Sequence, residues 1–434
     1  MITIGQPFTC MENGKAYLKA PIRISEDTAQ AYMGLQKRMH KVHWRLNENY
    51  PPRQWKEDNS ELWFSVDKEY GQYLCAETAD AFVCAMLWYA MVTGSDIVSE
   101  APISEKMVFS VNHYLIHALC TEKNGYRRIT VSGPTTSSVF PQATGVGTGM
   151  SCGVDSLYTL HEYMHTEPEE RRLTHLTYFN MGAIFHPDSS DKKKKYSIEE
   201  FYKKTDEMSE EKLKQASEVA SKVGLPMVYV SSNMDSDYYR GAYGYTAVYR
   251  NCACVLALQK LFKTYYCSSA GWPDYFDLTL SEGSEHYEML LCQCLSTEGC
   301  TFVLSDYATR IEKTEAIADW DIAWNYLDVC FNFNNCGKCS KCYRTMLTLD
   351  LMGKVDCFKP VFDVDAYRKN IDKAYGWLSF ARHGDAKDDN AVFARDIYDY
   401  AKKKGVTLSA KAEVYSLVLQ AKSVAKKLIK KWNK

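Results

Sequence analysis

An alternation of strand and helix patterns over residues 143–351 is the feature that most constrains the fold of this 434-residue chain. Four short apolar runs have the length and composition of strands, and longer amphipathic stretches lie between them. The predicted strands are 143–150, 173–179, 227–231 and 264–268, and the predicted helices are 154–165, 203–223 and 246–262. Such an alternation predicts an α/β fold, in which a parallel sheet is covered by helices on both faces.

The regions before and after this α/β segment have different patterns. Residues 1–135 combine strand-like runs at 42–45 and 62–66 with an apolar helical stretch at 77–93, which predicts an α+β accessory domain. From about residue 357 the pattern is helical. We therefore expect an accessory domain at 1–135, an α/β catalytic domain at 136–351 and a helical extension at 352–434, in line with about 150 residues per domain.

The composition excludes several classes of protein. With 13% aromatic and 24% charged residues and a net charge of −2, the chain is not disordered and has no global attraction for nucleic acid. No apolar run approaches the roughly 18 residues that span a bilayer, and the N-terminus lacks the pattern of a signal peptide. We expect a cytoplasmic protein with no membrane association.

Two lysine-rich segments raise the question of partners. Residues 421–434 contain six lysines on an amphipathic helical pattern, and residues 192–195 are four consecutive lysines. Solvated charge explains both, and the alternatives are a nucleic-acid contact for the tail and a substrate phosphate for the loop. The N-terminal domain is expected to cover the α/β domain or to bind a protein partner, and an oligomer remains open.

The strongest local signal is Thr148-Gly-Met-Ser-Cys-Gly-Val-Asp-Ser156, between a predicted strand and a predicted helix. Small residues let the backbone curl there, so that its N–H groups and the positive end of the helix form an anion site. Ser151 and Ser156 add hydroxyl donors. The carboxylate of Asp155 suits a phosphate loop if a cation shares the site, as Mg²⁺ would. No Gly-Lys-Ser/Thr follows, so this is not a Walker loop.

The cysteines form two groups. Most of the 16 are scattered in apolar surroundings and are expected to be buried hydrophobes, such as Cys84, Cys120, Cys252, Cys254, Cys292 and Cys294. Four others are clustered, with a spacing that predicts a metal site in a reducing compartment: Cys330, Cys336, Cys339 and Cys342. Four thiolates at about 2.3 Å close a tetrahedron around Zn²⁺, which makes the metal structural. An iron–sulfur cluster and unligated thiols are the alternatives.

Residues 151–156 resemble the loop Ser-Gly-Gly-x-Asp-Ser of the PP-loop ATP pyrophosphatases. The resemblance implies that this loop binds the pyrophosphate part of ATP and that a carbonyl oxygen is adenylated. On this basis the residues assigned to ATP are Ser151, Cys152, Gly153, Val154, Asp155 and Ser156. Cys152 stands where the family has glycine, and a Cβ is tolerated there if φ is negative. Family adenine contacts come from the end of the second strand, which assigns Asn180 and Gly182, with an ordinary turn as the alternative.

Further segments resemble one branch of this family, the 7-cyano-7-deazaguanine synthases. The cysteine cluster follows the loop by about 180 residues, as in that branch, and Arg344 comes directly after it. Residues 269–274 resemble its Ser-Gly-Tyr-Pro-Asp segment. Residues 310–317 resemble its Leu-Ser-Lys-Ala-Glu-Ile segment, which places Lys313 at the position of its lysine. The resemblance covers about residues 143–351 and implies that the four cysteines bind zinc, although the family's first gap is usually longer.

What the resemblance implies about activity is an ATP-dependent C–N ligase that releases AMP and pyrophosphate. Its expected cofactors are Mg²⁺ and Zn²⁺, and its acceptor is a small purine-like compound or carboxylate. Asp155 and Ser156 would act with Lys313 and Arg310, which would clamp the charge that develops on pyrophosphate. Plain surface charge is the alternative for these two cations.

Longer relatives occur in bacterial defence cassettes and in modification pathways, so the acceptor can differ. One alternative is thiolation or amidation of a tRNA base or a peptide, with Cys152 as a persulfide carrier and the basic tail as a docking element. The other is a non-catalytic nucleotide-binding component of a defence complex.

Overall fold

The computed structural model describes residues 1–39, 60–121, 124–166, 168–184, 196–269, 276–278, 283–330, 334–384 and 389–432. The chain divides into two compact units. The first comprises Met1–Ser151 and Glu162–Tyr307, and the second comprises Cys152–His161 and Ala308–Lys434. The domain boundaries predicted after residues 135 and 351 stay predictions.

The first unit contains a mixed, largely parallel sheet. Its strands, together with a short separate pair, are β1 (Ile2–Ile4), β2 (Phe8–Glu12), β3 (Lys15–Ile24), β4 (Glu61–Asp67), β5 (Ile97–Ser99), β6 (Ile103–Ser104), β7 (Val131–Ser132), β8 (Thr135–Thr136), β9 (Gly145–Gly149), β10 (His175–Asn180), β11 (Met227–Ser232), β12 (Phe262–Cys267) and β13 (Thr301–Leu304). The order in the sheet is β13-β12-β9-β10-β11-β4-β3-β1-β5-β7, with β2 beside β3, while β6 pairs with β8.

Helices of the first unit cover this sheet, and the remaining helices build the second unit. They are α1 (Glu26–Met39), α2 (Asp80–Thr93), α3 (Glu105–Ser110), α4 (Ile116–Leu119), α5 (Val154–Tyr163), α6 (Ile198–Val223), α7 (Tyr243–Leu256), α8 (Glu288–Leu295), α9 (Arg310–Ile317), α10 (Asp321–Tyr326), α11 (Ser340–Leu351), α12 (Val364–Lys369), α13 (Ile371–Ala381), α14 (Asp389–Lys403) and α15 (Ala410–Trp432). Two π-helical turns, Val111–Leu115 and Met234–Tyr239, accompany them.

The winding of the parallel strands reverses beside β9. The strands β9 to β13 lie in the order β11-β10-β9-β12-β13, so the chain builds the sheet outward on one side of β9 and then on the other. This is the doubly wound arrangement. Such sheets bind ligands outside the carboxyl ends of their strands, at the point where the winding reverses.

The N-terminal strands extend the same sheet. β4 pairs antiparallel with β11 through Val230 and Val66, and β3 follows beside β4. Alternate residues of β3 are buried, because one face of each strand points into the core. The predicted helix at 77–93 is α2, which begins at Asp80 and is buried along almost all of its length. It packs with α7 over one face of the sheet.

Helix α6 lies on β10 and β11. The hydroxyl of Ser197 caps its N-terminus by accepting a hydrogen bond from the N–H of Glu200 at 3.1 Å. Tyr178 and Tyr229 stack beside each other with ring centroids 6.3 Å apart, and Ser209 of α6 donates to the Tyr178 hydroxyl at 3.4 Å. Since Val228 and Val230 alternate with Tyr229 and point into the opposite layer, this part of the sheet is covered on both faces, as predicted.

The predicted elements differ from the structure mainly at their ends. The helix predicted at 246–262 is α7, which ends at Leu256, and Phe262 instead begins β12. The helix predicted at 203–223 begins five residues earlier, at Ile198. The strand predicted at 42–45, the lysine run at 192–195 and most of the segment 269–274 lie outside the described residues.

The second unit is helical, apart from the loops that carry the cysteines. α13 packs against α14 and α15, and α11 packs against α9, α13 and α14. Ala412 and Ser416 of α15 are buried, whereas several apolar residues of that helix face solvent: Val414, Tyr415, Leu417, Val418 and Val424. The helical C-terminal region is therefore as predicted. Within the described part of the chain, no helix has both the length and the apolar character that crossing a bilayer requires.

Candidate functional site

The turn between β9 and α5 has an unusual backbone at Cys152. Its φ is +59°, in the left-handed region, so the negative φ at which a Cβ is tolerated without strain is not the one that the structure has. The turn holds this conformation with a hydrogen bond from the N–H of Asp328 to the carbonyl oxygen of Cys152, at 2.8 Å. Left-handed backbone favours glycine because a Cβ crowds the following carbonyl. The glycine that PP-loops carry at this position would fit here without that strain.

Asp155 lies in the first turn of α5, where the helix dipole favours a negative charge. The hydroxyl of Ser156, beside it, donates to the carbonyl oxygen of Gly153 at 3.1 Å, and the N–H of Leu157 donates to the same oxygen at 3.0 Å. These contacts close the first turn of the helix and fix the direction in which Asp155 projects.

Two predicted cations meet the carboxylate of Asp155. The guanidinium of Arg310 lies 2.9 Å from Oδ2, and the ammonium of Lys313 lies 3.6 Å from Oδ1. The side chain of Lys313 is only 2% exposed and that of Arg310 is 12% exposed, so neither is plain surface charge. The structure thus brings together three of the four residues predicted to be catalytic, and the fourth, Ser156, follows Asp155 directly.

A capping box fixes the position of both cations on α9. Thr309 accepts a hydrogen bond from the N–H of Glu312, and the Glu312 carboxylate accepts one from the N–H of Thr309 at 2.7 Å. Arg310 and Lys313 are three residues apart and therefore share one face of the helix. The ring of Tyr158, on α5, lies 5.8 Å from the ammonium of Lys313 and borders it on another side.

Two further cations interact with this carboxylate through space. They are Lys341 and Arg344 at the start of α11. Burial alone would raise the pKa of Asp155, but the charges of Arg310, Lys313, Arg344 and Lys341 outweigh it and hold that pKa below its ordinary value. Burial and the neighbouring guanidinium groups lower the pKa of Lys341 to about 8. Asp155 therefore lies in the positive potential of these four basic groups.

An aromatic ring from the C-terminal helices supports two of these cations. The ring centroid of Phe393, on α14, lies 4.3 Å from the guanidinium carbon of Arg344 and 5.3 Å from that of Arg310. Phe393 is buried. Sequence reasoning missed this residue because no local pattern distinguishes it from any other core phenylalanine of an amphipathic helix.

The four clustered cysteines converge as their spacing predicted. The sulfur atoms of Cys330, Cys336, Cys339 and Cys342 all lie within 4.8 Å of one another. The sulfurs of Cys330 and Cys339 are 3.8 Å apart, and those of Cys339 and Cys342 are 3.5 Å apart. Four sulfurs at about 2.3 Å from a tetrahedral Zn²⁺ would be about 3.8 Å apart. The cluster can therefore hold a metal ion.

The backbone around the cysteines is arranged to suit thiolates. The N–H of Cys336 points to the sulfur of Cys330 at 3.3 Å, and the N–H of Cys342 points to that of Cys339 at 3.5 Å. Gly337 has φ +67°, so it makes the tight turn between two cysteines without a Cβ penalty. Buried Asn335 donates to the carbonyl oxygens of Leu327 and Val361, at 2.7 and 3.1 Å, and so ties the loop to its surroundings.

The residues assigned to adenine belong to the first unit. Asn180 ends β10, and its amide donates to Asp206 at 3.0 Å and to the Tyr229 hydroxyl at 3.3 Å. Gly182 has φ +93°, and a Cβ there would lie 2.5 Å from Asp235 and 2.6 Å from Arg250. The close approach of this ion pair therefore explains the glycine without reference to a ligand, and the adenine assignment remains a prediction.

The ion pair beside Gly182 was not expected from the sequence. The guanidinium of Arg250 is 0% exposed and lies 2.9 Å from the carboxylate of Asp235. It also donates to the carbonyl oxygens of Met181 and Gly241, both at 2.6 Å, and its carbon lies 4.6 Å from the ring centroid of Tyr239. Arg250 joins the ends of β10 and of the π-helical turn after β11 by saturating groups that burial would otherwise leave unpaired.

The six cysteines expected to be buried hydrophobes are buried. Compared with known proteins, the chain matches no family model, no curated protein and no solved structure.

Proposed function

We propose that the protein is an ATP-dependent ligase of the PP-loop type, which adenylates a carboxylate or an amide and adds nitrogen to it. The observation that carries the proposal is the location of the loop 151–156. It leaves the carboxyl end of β9, the strand at which the winding of the parallel sheet reverses. Doubly wound sheets bind nucleotides at that point, and the loop there has the residues of a pyrophosphate loop.

The charges in the second unit support this proposal. Adenylation places negative charge on the departing pyrophosphate, and fixed cations lower the barrier when they are already oriented toward it. Arg310 and Lys313 are held by a capping box and are largely removed from water, so their orientation costs little at the moment of reaction. Their role in the proposed reaction is to bind and orient phosphoryl oxygens.

Asp155 is suited to share a site with Mg²⁺. Its Oδ1 is shielded from solvent and has no hydrogen-bond partner among the residues that the structure describes. Carboxylate oxygens are preferred ligands of Mg²⁺, which would neutralise phosphate charge when bound. Asp155 itself would keep Arg310 in place through its other oxygen.

The metal that we propose for the four cysteines is Zn²⁺. Thiolate ligands, tetrahedral spacing and the absence of a fifth ligand group in the described cluster fit a closed structural site. Its proposed role is to hold the start of α11, since Cys339 is the N-cap of that helix and Cys342 lies in its first turn.

The test is product formation by the purified protein. Incubation with ATP, Mg²⁺, ammonia and 7-carboxy-7-deazaguanine should yield AMP and pyrophosphate in equal amounts, and a nitrogen-containing product by mass spectrometry. Release of AMP with a different carboxylate would keep the reaction class and change the substrate. ATP that binds without turnover, with all acceptors offered, would favour the non-catalytic alternative.

Sulfur transfer remains a different outcome of the same experiment. It would use a persulfide on Cys152, whose side chain is 1% exposed in the structure. A buried thiol is poorly placed to receive sulfur from a carrier. A sulfur-containing product would nevertheless replace the nitrogen-adding reaction.

A further inference from the structure

We propose that helix α15 docks lengthwise on a membrane surface that contains anionic lipids, with its exposed apolar face in the headgroup region. The inference concerns a part of the second unit that the proposed reaction does not use, so it does not depend on ATP chemistry. A helix that lies in the plane of the surface needs no spanning segment. The expectation of no membrane association considered spanning segments only, and this helix is the part of the chain to which it does not extend.

The first argument is that one side of α15 is fixed in the fold. At its start, Ser409 accepts a hydrogen bond from the N–H of Ala412 at 3.1 Å and donates one to Asp372 of α13. Ala412 and Ser416 are buried, and α15 packs along α13. A Cβ on Gly376 of α13 would lie 2.8 Å from the carbonyl oxygen of Ala412, so the two helices approach closely there. This packing determines which face of α15 points away from α13.

The second argument is that the opposite face is apolar and exposed. Val414 and Val418 each follow a buried residue of α15 by two positions, a rotation of about 200° around the helix. Val414, Leu417 and Val424 are 60%, 61% and 57% exposed. The exposed residues of this face, the apolar strip, recur every three or four positions: Val414, Leu417, Val418, Ala421, Val424 and Ala425. Single exposed apolar residues are normal, whereas a continuous strip marks an interaction surface.

The third argument is charge. Residues 401–434 contain ten lysines and one acidic residue, a net charge of +9, although the whole chain has a net charge of −2. Lys411 and Lys422 are exposed, and they are about three helical turns apart, so they border the apolar strip on the same side. The last turns of the helix, 426–432, contain four more lysines. An apolar strip bordered by lysines is the pattern of helices that bind anionic membrane surfaces.

The combination of these two features favours a lipid surface over other partners. Nucleic acid would bind the lysines through its phosphates but would leave the apolar strip in water. A second copy of the helix would bring two sets of lysines together. Protein interfaces are enriched in arginine and depleted in lysine, and residues 401–434 contain no arginine. An anionic bilayer supplies phosphate groups for the ammonium groups and an apolar region for the strip, and the lysine stems bridge the two.

The experiment is co-sedimentation of the full-length protein with vesicles of phosphatidylcholine alone, or of equal parts phosphatidylcholine and phosphatidylglycerol. Partition into the anionic vesicles should exceed partition into the neutral ones by at least about tenfold and should weaken as salt is added. The double variant Leu417→Gln, Val424→Gln keeps the charge and the helix propensity, and it should lower the partition by about tenfold or more. Lys411→Gln with Lys422→Gln should lower it by about tenfold or more as well.

The matched controls make the same substitutions elsewhere in the chain. Val139→Gln replaces a valine of the first unit that is 52% exposed, and Lys369→Gln replaces an exposed lysine at the end of α12. Both variants should bind vesicles like the original protein. Thermal unfolding shows whether each variant is folded. If the pair of substitutions at 417 and 424 prevents folding, Val414→Gln with Val418→Gln tests the same strip.

Several results would overturn the membrane assignment. They are absence of vesicle binding, equal binding to neutral and anionic vesicles, and unchanged binding in folded variants of the apolar strip. A dimer that these variants convert to a monomer in sedimentation velocity would assign the strip to a second copy instead. Binding of an oligonucleotide, without binding of vesicles, would assign the lysines to nucleic acid. Formation of AMP should be the same in the strip variants as in the original protein, so this test and that of the proposed function can fail separately.

Discussion

Two carboxylate–arginine pairs of equal length behave differently in this protein. In the first unit, Arg250 lies 2.9 Å from Asp235, and in the second, Arg310 lies 2.9 Å from Asp155. The Asp235 pair is sealed from solvent, with exposures of 0% and 4%, whereas the Asp155 pair retains 12% and 26%. Distance alone therefore does not distinguish an ion pair that is sealed from solvent from one that solvent can reach.

The partners of each pair make the difference. Asp235 accepts from the hydroxyl of Tyr202 at 2.9 Å and from the N–H of Gly241 at 3.0 Å, besides Arg250. The negative charge of Asp235 is balanced by the positive charge of Arg250. Asp155 faces several cations and has one oxygen without a hydrogen-bond partner in the described chain. The Asp235 pair is saturated by neighbouring donors, while the Asp155 pair lies among further cations and keeps partial contact with solvent.

The largest effect that we expect comes from loss of the metal. We expect this effect to be confined to the second unit. The purified protein should contain one Zn²⁺ per chain, and Cys339→Ser should lose it and destabilise α11. Zinc binding contributes roughly 10 kcal/mol or more to the folding of small zinc domains. Hydrogen exchange should quicken in α11 while α2, in the first unit, keeps its protection.

The control for the metal is Cys357→Ser, which removes another half-buried cysteine outside the cluster. It should retain the zinc and the original exchange pattern. Iron with visible absorbance would replace the zinc assignment with an iron–sulfur cluster. A protein without metal would contradict the site altogether.

The second-largest effect that we expect is on the rate of AMP formation. Asp155→Ala should reduce AMP formation to background, a loss of at least about ten-thousandfold or roughly 5.5 kcal/mol in the barrier. It should unfold no part of the chain, because the side chain is partly exposed at the start of a helix. Asp356→Ala, which removes an exposed pair with Arg368 on the same unit, should leave turnover unchanged. AMP formation retained by Asp155→Ala would refute the PP-loop assignment.

The pH dependence of Asp155 follows from the same cations. They hold its pKa below the ordinary value of about 3.9, so its pairing stabilises the folded state above that value. The contribution is lost only as the pH falls through the lowered pKa. A carboxyl titration of Asp155 followed by NMR should therefore have its midpoint below 3.9, and Arg310→Gln should raise it. A midpoint at or above 3.9 in the original protein would contradict the arrangement of cations around Asp155.

The third effect is on stability and tests the saturated pair. Arg250→Met removes the buried countercharge of Asp235 and a donor to two carbonyl oxygens, which should lower the free energy of unfolding by about 3–5 kcal/mol. The matched control is Arg23→Met, since Arg23 and Glu100 form a pair whose side chains are about half exposed. It should cost less than about 1 kcal/mol in a urea titration. Equal losses of unfolding free energy in the two variants would mean that burial does not determine how much each ion pair contributes to stability.

The sequence predicted the features that depend on neighbouring residues. The four cysteines lie close enough along the chain for their spacing to define a cluster, and that prediction is confirmed. The strands of the parallel sheet are continuous apolar runs and could be located to within a few residues. The strict alternation of buried residues in β3 is a further pattern that local sequence encodes. The predicted end of α7 is wrong because apolar residues continue past Leu256 without a glycine or proline that would mark the end of the helix.

The parts that could not be predicted are contacts between distant segments. Phe393 reaches Arg310 and Arg344 from a helix whose local pattern does not indicate these partners. Asp235 and Arg250 form a pair only because a π-helical turn and a left-handed stretch, including Arg240 and Ala242, fold back between them. Such geometry is set by packing, which local sequence patterns do not encode.

The smallest effect should come from Cys152→Gly, at the turn that leads to Asp155. Left-handed backbone costs a non-glycine residue about 1–2 kcal/mol, and glycine removes this strain. The gain is offset by the loss of a buried thiol and by the greater freedom of glycine in the unfolded chain. We expect a change below about 1 kcal/mol in stability and less than about tenfold in turnover, or 1.4 kcal/mol. Cys152→Ala loses the thiol but keeps the strain, so it should be less stable than Cys152→Gly. Loss of all turnover in folded, ATP-binding Cys152→Gly would instead indicate that the thiol carries sulfur.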